Sequence, residues 1–123
     1  MDAPFRHDVA PCTVEAQVRD CVPVVVIGGE IDTSNDAEIS RVIGAQLEPR
    51  MPLVVVDLRK VRFLGSAGVR LLLENHLLAR SVGTTFIVVA DHRVVLRPLE
   101  ITGLDHIVEL HSGFPELVDH SSP

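Results

Sequence analysis

Ser66 is the hydroxyl with the most chemistry around it. It stands in the small-residue run Gly65-Ser66-Ala67-Gly68, directly after Phe63-Leu64, and the helix formers of Val69 to Ala79 follow at once. A serine there lies at or next to a helix N-cap, where its oxygen can accept a first-turn N–H at a gain of about 1 kcal/mol. The same position suits a phosphorylation site, because free N–H groups and the positive dipole end accommodate a phosphate. The two readings are compatible. Glycine inside a helix costs about 1 kcal/mol against alanine, so Gly68 marks a close approach, made either by a partner's backbone or by packing within the chain.

Other chemistries fit less well. A serine between strand and helix resembles a hydrolase nucleophile elbow, but that turn needs Gly-x-Ser-x-Gly. Here Leu64 stands two before Ser66, and only Gly68 fits. The chain is also short for that fold, and no enzymatic activity is expected. Asp57 ends a buried strand, as the phosphoacceptor of a receiver-type domain would. A receiver also needs an acidic pair after its first strand and a lysine after its last. Residues 19–21 are Arg-Asp-Cys, and the lone lysine, Lys60, lies elsewhere. His7, His76, His92, His106, His111 and His120 follow no ligand spacing, so neither a metal nor another cofactor is expected. If 12–19 and 22–28 pair as a hairpin, Cys12 lies at its far end and Cys21 beside the turn. Their separation then exceeds the ~7 Å limit for a disulfide. Free thiols and a reducing compartment are expected.

Composition narrows the partners. The 123 residues suit one domain with one core. With 11 Lys+Arg against 17 Asp+Glu, the net charge of −6 leaves no footprint for nucleic acid or an anionic membrane. There is no Trp or Tyr, hence no stacking platform for bases. No apolar run approaches the ~18 residues of a spanning helix. The opening MDAPFRHDVAP has no apolar core of a secretory signal. A cytoplasmic protein, monomer or weak dimer, is expected.

The elements that position Ser66 follow from periodicity. Residues 1–11, with Pro4 and Pro11, read as a flexible N-terminal arm. Thr13 to Arg19 alternates as a half-buried strand, Asp20-Cys21 turns, and Val22 to Ile27 returns. Gly28 to Ser34 feeds a helix over Ala37 to Leu47, with Thr33 as the expected N-cap and Asp36 in the first turn. Leu53 to Leu58 is a β-branched run suited to a strand buried on both faces. Arg59-Lys60-Val61-Arg62 reads as a charged connector, after which Phe63-Leu64 return to the interior. On the next helix, Arg70, Glu74 and Ser81 should face water and Leu72 and Ala79 the sheet. Leu71 with Leu78, and Leu73 with Leu77, form its flanks. One flank packs on a neighbouring helix or offers an apolar partner surface beside Ser66. Thr84 to Ala90 is a strand, and His92 to Thr102 a helix that Pro98 should bend or interrupt. Gly103 stops that helix. Ile107 to Leu110 is a last strand and Phe114 to His120 a helical turn or two. Alternating strands and helices imply a single α/β domain. Its sheet is mixed and mostly parallel, with an N-terminal antiparallel hairpin and helices interspersed.

Four fragments together resemble a STAS domain of the anti-sigma factor antagonist (anti-anti-sigma factor) family. They are Gly29-Glu30-Ile31-Asp32, Val54-Val55-Val56-Asp57-Leu58, Phe63 to Val69, and Glu100 to Asp105. The resemblance spans Thr13 to His120, and the domain is taken as 12–120 with a C-terminal tail at 121–123. It implies transcription regulation. The protein would bind an anti-sigma factor, often a serine kinase, and so free a sigma factor. Phosphorylation of the serine opening the second helix, here Ser66, would switch that binding off, and a serine phosphatase would restore it. Partner contact is implied for Asp32 and Thr33, for Gly65, Ser66, Ala67 and Gly68, and for Arg70. Asp57 matches a family aspartate of structural role. Many members carry an acidic residue directly before the serine, where this chain has Gly65. The alternatives are a STAS interaction module that is never phosphorylated and a receiver-type phosphoacceptor using Asp57.

Overall fold

The computed structural model describes residues 5–9, 12–48 and 51–114. Strands β1 (Phe5–Val9), β2 (Cys12–Arg19), β3 (Val22–Ile31), β4 (Leu53–Leu64), β5 (Thr85–Val89) and β6 (Glu109–His111) form one sheet, ordered as numbered, among the described residues. Helices α1 (Asp36–Leu47), α2 (Ser66–Ser81) and α3 (Arg93–Thr102) connect its parallel strands. The β1–β2 and β2–β3 pairs are antiparallel; β3–β4, β4–β5 and β5–β6 are parallel. The mixed, mostly parallel α/β sheet with its N-terminal hairpin is as expected.

Burial explains the layering. Leu53 to Leu58 and Phe86 to Val89 are buried on both sides of the sheet, as their continuous apolar runs require. One sheet face, including Val25, Ile27, Val54, Val56 and Val88, packs under all three helices. The opposite face gathers Val24, Val55, Ile87 and Val89 around Phe114. On α2, Leu72 and Ala79 are fully buried against the sheet, while Arg70, Glu74 and Ser81 are exposed. Its Asn75, 3% exposed, donates through Nδ2 to Ser40 Oγ (3.0 Å) and Leu71 O (2.8 Å). These bonds offset the cost of burying an amide and tie α2 to α1. The flank carrying Leu71 therefore packs on a neighbouring helix. Leu77 and Leu78 are half exposed, but they lie about 17 Å along the helix from Ser66 at 1.5 Å per residue. They form no surface beside it.

Three local expectations are corrected, and of the two outcomes expected at Pro98 the interruption does not occur. Phe5–Val9 lies in the stretch read as a loose arm, yet it pairs with Cys12–Ala16 as an edge strand. Arg59 to Arg62 is not a connector but a continuation of β4, which pairs with β3 as far as Ile31↔Leu64. Phe63 does not return to the interior; it is 50% exposed. Helix α3 runs through Pro98 without interruption. Val94, whose carbonyl loses the proline N–H, is an exposed residue that water can serve. Asp20 and Cys21 make the hairpin turn with φ of 52° and 67°, and Gly103 ends α3 in the left-handed region as expected. The last strand falls at Glu109–His111. The helical turn expected from Phe114 onward lies, past residue 114, outside the described residues.

Candidate functional site

Because β3 and β4 are parallel neighbours, their C-terminal ends emerge at the same end of the sheet. Ile31 pairs with Leu64. The Gly65 N–H then donates to Ile31 O at 3.1 Å, extending the ladder one step past the strands. The Asp32-Thr33-Ser34 loop and the Gly65-Ser66 turn are thereby held side by side.

The Asp32 loop is locally braced. Asp32 Oδ1 accepts from Ser34 N–H (2.9 Å) and Ser34 Oγ (2.5 Å). These bonds hold its carboxyl below the usual carboxylate range, the hydroxyl contributing most. Asn35, 1% exposed, accepts the Asp32 N–H through Oδ1 (3.1 Å) and donates through Nδ2 to Glu30 O (2.8 Å). Asn35 also occupies the N-cap position expected for Thr33. Its side chain serves the loop rather than the helix, and Thr33 stands exposed.

In the serine turn, the N-cap is Gly65, in an extended conformation with φ −83° and ψ −179°. Its carbonyl accepts the N–H groups of Gly68 (3.0 Å) and Val69 (3.1 Å). Ser66 is the first helical residue, next to the cap. It is exposed, and its hydroxyl makes no hydrogen bond among the described residues. The open hydroxyl at the positive end of a sixteen-residue helix is the arrangement in which a phosphate is tolerated. Arg70, one turn further on, is exposed. Ala67 and Gly68, expected to touch a partner, instead turn inward and are buried. Gly68 meets Ile31 and Leu64, so its close approach belongs to the chain's own packing.

Beside Ser66 lies an open groove of about 520 Å³. It exists because β5 pairs with β4 only as far as Asp57↔Val89, while β4 runs on to Leu64. Helix α3 flanks this projecting arm, with His92 Nε2 2.7 Å from Val61 O. Between them, Arg62, Phe63, Arg93, Val94, Arg97 and Ile101 line the groove together with the Ser66 turn.

The STAS domain model matches residues 13–117. The chain belongs to the STAS domain family. Over 107 residues it is 37% identical to a curated relative, the anti-sigma-F factor antagonist RsfB of Mycobacterium tuberculosis, covering 84% of this chain and 85% of the relative. It is similar to the crystal structure of an anti-sigma factor antagonist from Mycobacterium paratuberculosis. That match has a TM-score of 0.81 and 31% identity, and covers 89% and 92% of the two chains. A structure from Thermotoga maritima, at 20% identity, shares the fold with a TM-score of 0.78 over 85% and 91%.

Within this STAS domain Asp57 is a structural residue. Only 5% exposed, it is forked by Arg59, with Nε to Oδ1 at 3.0 Å and Nη2 to Oδ2 at 2.9 Å. The Arg59 N–H adds a third bond at 3.0 Å. The Arg59 guanidinium also lies 5.0 Å from the Phe114 ring, with that of Arg19 4.4 Å away. A carboxylate so engaged is not presented to a phosphoryl donor, which removes the chemistry of the receiver-type alternative. Cys12 and Cys21 are free thiols. Burial, aided by Asp32, pushes the Cys12 thiol up to about 11. No His, Cys, Asp and Glu group among the described residues could hold a metal ion, and no described helix is long and apolar enough to cross a membrane.

The residues that periodicity missed are Asn35, Arg62, Phe63 and the α3 pair Arg93 and Arg97. One signal was present: Val94, Pro98 and Ile101 repeat at i, i+4, i+7, with Arg93 and Arg97 alongside.

Proposed function

We propose that this chain is an anti-sigma factor antagonist. It binds an anti-sigma factor, itself a serine kinase, through the Asp32-Thr33 loop, the Gly65-Ser66 turn and Arg70, and so releases a sigma factor in the cytoplasm. It acts by binding, not as an enzyme. Phosphorylation of Ser66 switches the binding off and a serine phosphatase restores it. The observation that carries this reading is the exposed Ser66 hydroxyl on the first turn of α2, held beside the Asp32 loop by the Gly65–Ile31 bond. The name of the 37% identical relative supports it.

The switch is electrostatic. A phosphate adds about −1.5 to −2 charge to a chain that already carries −6. At a docked surface that charge must be desolvated or expelled, and each 1.4 kcal/mol lost is about tenfold in affinity. The test is calorimetric binding to the cognate anti-sigma factor, with Ser66→Ala, Ser66→Asp and Ser66→Glu. Ser66→Ala should bind like wild type and the acidic variants at least tenfold more weakly; equal affinities would remove Ser66 from the switch. Incubation with the partner kinase and ATP should add one phosphate to the Ser66 peptide by mass spectrometry.

A second reading, binding without phosphorylation, is favoured by Gly65, which supplies no carboxylate beside the serine. In that case the kinase leaves Ser66 unmodified while binding persists.

A further inference from the structure

We propose that the groove between the β4 arm and α3 receives an acidic amphipathic helix of the partner. Its apolar side chains seat on Phe63, Val94 and Ile101, and its carboxylates pair with Arg62, Arg93 and Arg97. This deepens the antagonist reading and rests on it for the identity of the partner.

The floor of the groove is apolar and open. Phe63 is 50% exposed, Val94 45% and Ile101 70%, and all three border one cavity. Together they form one patch rather than scattered surface residues, and patches of this kind mark interaction sites. Val94, Pro98 and Ile101 form a single stripe on α3, the i, i+4, i+7 spacing that a facing helix reads.

The rim decides the charge of the occupant. Arg62, Arg93 and Arg97 are all exposed, and none makes an ion pair among the described residues. The chain has only 11 basic residues and a net charge of −6, so three around one apolar cleft form a local reversal of sign. The groove lining holds these three arginines and no carboxylate, against the net negative charge of the whole chain. Arginine's planar fork suits carboxylates, which it binds with two parallel hydrogen bonds. Ser66 borders the same groove, so a phosphate on it competes with the partner's carboxylates for these guanidinium groups.

The test uses the full chain, labelled with 15N, and two synthetic amphipathic helical peptides of the same leucine pattern, one with glutamates and one with lysines. The glutamate peptide should shift the amides of Phe63, Val94 and Ile101, while the lysine peptide leaves them in place. Arg93→Glu with Arg97→Glu, confirmed folded by its melting curve, should weaken the glutamate peptide at least tenfold. Binding of both peptides alike, of neither, or of the glutamate peptide at other amides would overturn the proposal. So would saturable binding of oleate or self-association through these amides when neither peptide binds. The cognate anti-sigma factor separates the two readings. If it binds wild type and is weakened by Ser66→Glu but not by the double arginine variant, the groove proposal fails and the antagonist reading stands. If it does not bind wild type while the glutamate peptide still occupies the groove, the antagonist reading fails and the groove remains.

Discussion

A Cβ built on Gly68 would lie 2.4 Å from Leu64 Cδ1 and 3.0 Å from Ile31 Cγ2. The first turn of α2 thus presses on the ends of the two strands that carry the site. Overpacking a buried position costs about 1–3 kcal/mol, and alanine's better helix propensity returns about 1 kcal/mol. Gly68→Ala should therefore lose up to about 2 kcal/mol of stability in urea denaturation. A net gain would mean that Leu64 turns aside freely and that the turn is not held by packing.

Asp57 and Arg59 form a half-buried ion pair on the opposite sheet face, with side chains 7% and 34% exposed. Removing one partner of a fully buried pair costs about 3–5 kcal/mol. Arg59 can reach water, so Asp57→Asn should cost less, about 1–2 kcal/mol by the same measurement. Ser66 chemistry should be untouched. An unchanged unfolding midpoint would show that the fork contributes nothing.

Cys21 holds φ at 67° in the hairpin turn, following Asp20 at 52°. Two-residue hairpin turns with positive φ at both positions favour Asp-Gly, since a Cβ is strained there. Cys21→Gly should raise stability by up to about 1 kcal/mol, read from the melting temperature. A loss would place the thiol in a stabilising contact that the exposed turn does not display.

His76 lies edge-on to Phe86, with ring centroids 6.3 Å apart. Burial, and then the Arg80 charge, lower its pKa below the ordinary 6.5. On acidification the unfolded chain takes up this proton first. The contribution is therefore fully present above pH 6.5 and is lost as the pH falls through the folded-state value. The loss of stability between pH 7.5 and 5.5 should be smaller in His76→Gln than in wild type. Parallel profiles would assign the dependence to other groups.

Local pattern made much of the molecule legible. The β-branched runs at Leu53–Leu58 and Thr84–Ala90, the period-two alternation of β2 and the Gly103 stop each depend on neighbours in sequence. The faces of α2 followed from its 3.6-residue repeat, and Ser66 from a small-residue turn between an apolar pair and helix formers. These signals sufficed for the fold class and for the serine. Thr33 was the expected cap because its residue type suits that position; Asn35 stands there instead, and its amide reaches Glu30 O, which only the folded loop brings within range.

What the chain determined alone is the alternation of strands and helices from β2 to α3 and the small-residue turn that opens α2 on Ser66. Tertiary structure decided which strand ends meet. The ladder from Ile31 to Leu64 and on to Gly65 turned a charged segment into strand and left Phe63 facing out. It also gave Arg62 the company of Arg93 and Arg97. Periodicity reports which side of an element is buried, whereas register and edge partners depend on residues tens of positions away. A groove made from the end of one strand and the side of a later helix has no local signature.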